Sequence, residues 1–170
     1  MAKFIKSVVM VGLLSGSALL HADQVSISFE LPQIAVAKYQ RPFVAVWVEQ
    51  KGQRKALDIV GVWYDDKKWL KDIRRWWRQA GRYDQELDGV TGATKPPGSY
   101  ELIWDGKDKQ GNDVSGEVTL YLEAVREHGN RTLLKQKINL GSGAKQSYEL
   151  TAGDEIGPVR ILVGDSKNAE

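Results

Sequence analysis

Two hydroxyl side chains three positions apart, Thr91 and Thr94, stand on the segment DGVTGATKPP, Asp88 to Pro97. Between and before them lie Gly89, Gly92 and Ala93, the smallest residues available. A threonine oxygen can be esterified by group transfer, and small neighbours let a second protein close over the backbone without collision. The spacing predicts that the Thr94 hydroxyl is open. A plain turn also accounts for the segment: Asp-Gly reverses the chain, Thr91 bonds its own backbone and Pro96-Pro97 leads stiffly onward. Upstream, Arg74, Arg75, Arg78 and Arg82 are interleaved with Trp69, Trp76, Trp77 and Tyr83. Guanidinium forks match phosphate geometry, and aromatic faces accept a ring. Together they form a place for a flat anionic ligand, although an apolar tryptophan face docking on a sheet explains the same residues.

Other chemistries lack their residues. The chain holds no cysteine and two histidines, so thiolate metal sites and disulfides are excluded and Ser-His or His-zinc arrangements are short of members. His128 lies in REHGNR, which reads as a solvated hairpin turn. Asp105, Asp108, Asn112 and Asp113 could suggest calcium, but Lys107 and Lys109 lie among them and no acid closes the loop. A turn built from Asp, Asn and Gly is the better reading, and no metal is expected.

Residues 1–22 read as a signal peptide, with Lys3 and Lys6 ahead of an apolar run ending near Leu20 and cleavage expected after Ala22. Of the 24 basic side chains, those two lysines leave with it, so the mature chain balances 22 basic against 22 acidic groups. The basic pI therefore belongs to the leader, and no nucleic-acid partner is expected. A cysteine-free exported chain fits a periplasm.

The elements that must position the hydroxyls are mostly strands, in one domain over residues 23–170. QVSISFELP alternates with period two, and PFVAVWVEQ is apolar on both faces, as in a strand covered on both sides. KALDIVGVWYD, GSYELIWDG, EVTLYLEAVRE, RTLLKQKINL and Val159–Val163 supply further strands. One amphipathic Trp/Arg-rich helix is expected in DDKKWLKDIRRWWRQAGRY, with Trp69, Ile73, Trp76, Trp77 and Ala80 on its apolar stripe. Asp65 or Asp66 caps its start and Gly81 its end. The fold class is mainly β, an antiparallel immunoglobulin-like β-sandwich.

Three resemblances add to this. GSYELIWDGKDKQGNDVSGEVTLYLEA resembles the immunoglobulin-like module of flagellar hook-capping proteins, in which Gly98, Tyr100, Trp104, Asp105, Gly106, Gly111 and Gly116 would mark one hairpin. It implies architecture alone, and on it a non-redox binding or structural adaptor is the rival reading. Asp88-Gly89-Val90-Thr91-Gly92-Ala93-Thr94 resembles the flavinylation motif of bacterial FMN-binding domains. That resemblance implies that an FAD:protein FMN transferase leaves FMN on Thr94 as a phosphoester. Thr91, Gly92 and Ala93 would then be its recognition core, with Asp88 and Gly89 leading into it. Past the acceptor, Lys95-Pro96-Pro97 departs from the sequence usual in those domains. RPFVAVWVE, VWYD, KWLKDIRRWWR and DGVTGAT resemble, over the whole mature chain, a family of predicted periplasmic proteins catalogued as a domain of unknown function. This resemblance implies association with flavin transferases and a PepSY-type membrane electron-transfer protein. The expectation is a periplasmic electron carrier rather than a substrate-transforming enzyme, with Arg74, Arg75 or Arg78 toward the phosphate and Trp76, Trp77 or Tyr83 against the ring.

Overall fold

Alternation along the first strand sends Val25, Ile27, Phe29 and Leu31 inward while Ser26, Ser28 and Glu30 face out. In the computed structural model, which describes residues 23–83, 87 and 89–165, that strand is β1, Asp23–Leu31. The leader, its cleavage site and Asp88 lie outside the described residues.

The chain continues through β2 (Phe43–Gln50), β3 (Asp58–Trp63), β4 (Thr91–Gly92), β5 (Gly98–Trp104), β6 (Gly116–Val125), β7 (Arg131–Leu140), β8 (Gln146–Leu150) and β9 (Val159–Asp165). They form two sheets, ordered β5-β1-β9-β8 and β4-β3-β2-β6-β7. The protein is thus mainly β. All pairings are antiparallel except that of β4, which joins the edge of β3 in parallel at Val62 and Trp63. The larger core lies between the sheets, with Val25, Ile27 and Phe29 of β1 and Ile161 of β9 against Val44, Val46 and Val48 of β2 and Leu120 and Leu122 of β6.

Strand β2 is covered on both faces as its sequence predicts. Phe43, Ala45 and Trp47 point the other way, into a second core closed by Leu70, Ile73, Trp76 and Ala80. Those four belong to the Trp/Arg-rich segment, which is not one α-helix. It comprises a 3-10 turn (Lys67–Asp72) and, after a non-helical Ile73 at φ −75°, ψ 74°, a single α turn (Arg74–Trp76) that runs straight into a π turn (Trp77–Gly81). Ile73 is buried, and its non-helical backbone is where the first turn hands over to the second. Asp66 caps the 3-10 turn by accepting from Lys68 N. Gly81 ends the π turn for reasons of space: a Cβ there would lie 2.5 Å from the Trp76 ring.

The hairpin expected around Trp104–Gly116 is corrected. Strands β5 and β6 lie in different sheets, and the link crosses between them. It is tied by Trp104 Nε1 donating to Lys107 O and by the Asp108 carboxylate accepting from Gln110 and Asn112. Those bonds hold the Asp108 carboxyl below its ordinary range, the Asn112 side chain contributing most. The link from β6 to β7 is a hairpin turn, with His128 exposed at φ 55°.

Candidate functional site

Val62 N donates to Val90 O and Tyr64 N to Gly92 O, so the segment carrying the two threonines lies against the last residues of β3. The next residues after β3, Asp65 and Asp66, start the helical segment. Asp66 is used by the cap. Asp65 is exposed, and its Oδ1 accepts the Thr94 hydroxyl at 2.7 Å. This bond extends the β3–β4 contact one step past the strand ends.

The expectation of an open hydroxyl is thereby corrected. Thr94 is 4% exposed. Its bonded proton points at a carboxylate on the solvent side, at the end of the five-stranded sheet and not within either core. Thr91 and Ala93 are exposed, and Gly92 is half-buried. The small size of Gly92 is used internally, because a Cβ would come 3.3 Å from Trp63 Cδ1. Lys95 places its ammonium 5.8 Å above the same indole. Gly89 adopts φ +85°, a turn geometry that favours glycine. Asp88 lies outside the described residues.

The helical segment brings only part of its predicted set to this end. It starts at Asp65 beside Thr94 and runs to the opposite end of the sheet, where Ala56 N donates to Gln79 O. Tyr83, with Lys55 and Arg82 over its ring, belongs to that far end, as does Arg78 beside Gln79. Trp76 is fully buried and presents no face to a ligand. Trp77 is half-buried against Trp76, at a 6.3 Å centroid distance. Arg75 is committed elsewhere, its Nε and Nη2 bonding Glu49 at 3.2 and 2.5 Å and its guanidinium lying over Tyr121. That ion pair raises the Arg75 pKa against the burial that lowers it. Of the predicted arginines, Arg74 alone remains exposed at the Thr94 end, and among the described residues it has no ion-pair partner.

Two features escaped the sequence reading. Asp65 carried a signal: of two adjacent aspartates only one caps a helix, and the other is left over. Glu123 carried none. It reads as a polar position of a strand, yet it is fully buried and accepts from Arg75 N, Trp76 N and Arg131 Nε. It fastens the helical segment to β6. Beside it, at the Thr94 end of the sheet, an open cavity of about 510 Å³ is lined by Phe43, Trp69, Arg74, Val125, His128 and Arg131, among others.

Fold and site together define a two-sheet, mainly-β protein that carries a small-residue hydroxyl loop latched by one aspartate at the end of a sheet. Among the described residues no cluster could hold a metal and no helix is long and apolar enough to cross a membrane. The model of a family described as predicted periplasmic protein (DUF2271) matches residues 24–158, and the chain belongs to that family. No curated protein and no solved structure matches it.

Proposed function

We propose that the protein is an exported electron carrier with FMN esterified to Thr94, its two sheets forming an immunoglobulin-like sandwich released by cleavage after Ala22. One observation carries the reading: the last hydroxyl of the Asp-Gly-Val-Thr-Gly-Ala-Thr segment donates to a carboxylate at 2.7 Å. An FAD:protein FMN transferase supplies FAD. The Thr94 oxygen attacks the flavin-side phosphorus, the phosphoanhydride bond breaks, and AMP leaves. A new Oγ–P bond forms, and the hydroxyl proton passes to Asp65. No oxidation occurs in this step.

Because Thr94 is buried, the loop must part from β3 for the transferase to reach it. That motion breaks the short β4–β3 ladder, including the bonds from Val62 N to Val90 O and from Tyr64 N to Gly92 O, and lifts Leu87 and Val90 off the second core; Asp65, exposed beside the loop, meets the hydroxyl again in the open state. A two-residue edge strand opens at lower local cost than the interior strands do. Once attached, the flavin cannot diffuse away, and its local concentration is set by the tether alone. The redox chemistry belongs to the ring, whereas the protein sets its exposure and surrounding charge. A PepSY-type membrane protein is the proposed redox partner.

Intact-mass measurement after co-expression with a flavin transferase tests this. The expected result is one FMN added, retained after denaturation, lost in Thr94→Val and kept in Thr91→Val. Thr94→Val removes one charge-assisted hydrogen bond to an exposed acceptor, so it costs about 1–2 kcal/mol and leaves the fold intact.

A specific observation favours the adaptor reading as well. The outer face of the four-stranded sheet exposes Ile103 and Leu162 on either side of Ser26. Unmodified, colourless protein in the presence of an active transferase would leave that reading standing.

A further inference from the structure

The cavity at the Thr94 end of the five-stranded sheet has no role in the attachment chemistry. Its walls come from the ends of three strands, the β6–β7 turn at residues 126–130 and the helical segment. Phe43 opens β2, Val125 closes β6 and Arg131 opens β7. Register puts all three at the end where Trp63 closes β3, since Val44 pairs with Trp63, Phe43 with Val125 and Val125 with Arg131. Thr94 lies just past Ala93 after the end of β4, on the outer side of β3. The segment leaving Asp65 contributes Trp69 and Arg74 to the cavity, so one continuous stretch runs from the latch to the cavity wall.

From this placement we infer that the cavity holds the isoalloxazine ring of a flavin tethered at Thr94, stacked against Trp69 and with Arg74 beside its pyrimidine edge. The inference rests on the proposed attachment. Strands lie ~4.8 Å apart, so β4 and β2 are separated by ~10 Å. A ribityl phosphate chain spans about that distance and delivers the ring past Phe43. Trp69 is half-buried, unlike Trp76, and packs on the second core; the exposed Lys68 side chain lies over its ring at 5.1 Å and would move aside for a stacked flavin. Arg131 and Arg126 are held by the buried carboxylates Glu123 and Glu155, whereas Arg74 remains free to meet the ring. Asp72 and Glu127 also line the cavity. A cation near the pyrimidine edge favours the reduced, anionic ring.

The experiment uses full-length protein carrying the flavin, with Trp69→Ala and Arg74→Ala variants and two readouts, intact mass and flavin properties. All three proteins should carry the FMN mass, because neither residue touches Thr94. Flavin fluorescence should be quenched in the wild type and should rise several-fold in Trp69→Ala. The midpoint potential should shift negative in Arg74→Ala. An adduct whose emission already equals that of free FMN, or one that neither substitution alters, would overturn the pocket and leave attachment intact. Absence of the adduct from Thr94 would overturn the attachment, and the tethered pose with it.

Discussion

The bond from Thr94 to Asp65 makes a sharp prediction about proton removal. Because the hydroxyl already donates to Asp65 Oδ1, Asp65→Asn keeps an acceptor of the same shape and removes the base. On the proposed attachment, FMN transfer should slow by about a hundredfold or more, the range of one general base, as followed by the appearance of modified protein over time. An unchanged rate would assign proton removal to the transferase. A second carboxylate makes stability depend on pH. Burial raises the Asp58 carboxyl pKa above its ordinary value, against a weaker opposing bond from Ile59 N. The folded protein therefore binds this proton more tightly than the unfolded chain does. Stability is lost as pH rises from the unfolded pKa through the folded one, and the penalty is complete above it. Asp58→Asn should accordingly raise Tm at pH 7, and the gain should fade as pH falls through that window. Thermal melts across pH would show it.

Among the elements, the helical segment is held by two devices that the sequence exposes unequally. Apolar spacing correctly put Ile73, Trp76 and Ala80 toward the sheet, because burial depends on direction alone. It could not reveal the break at Ile73, since three short turns of different pitch still send roughly the same residues inward. Nor could it reveal that this segment runs away from Thr94, which is decided by where Gln79 meets Ala56. The arginines and aromatics grouped with the loop in sequence were therefore mostly divided from it in space. Gly81→Ala should collide with Trp76, which is enclosed and cannot yield, at a cost of about 1–3 kcal/mol. Glu123→Ala should cost more, because it strands the Arg75 and Trp76 amides, at about 1–3 kcal/mol each. Urea denaturation would rank the two, and the reverse order would show that packing fastens the segment more than the carboxylate does.

At the scale of the molecule, strands were legible where alternation or a two-sided apolar run reported their surroundings, as in β1 and β2. Strand β8 escaped because QSYEL is short and weakly apolar, with Tyr148 and Leu150 only half-buried. Strand β4 escaped because two residues carry no period at all. Sheet membership was illegible for β5 and β6, since a turn-rich link reads alike whether it folds back or crosses over. The order of the four-stranded sheet has a temporal consequence. Strand β1 is interior, and one neighbour is β9, with Ile27 opposite Ile161. Synthesis delivers the first of these residues early and the second almost last, so the pairing waits for nearly the entire polypeptide. Such distant partners fold slowly. Until the late strand arrives, the early one keeps a bare hydrogen-bonding edge, and a chain cut short before residue 159 would leave that edge open to other molecules.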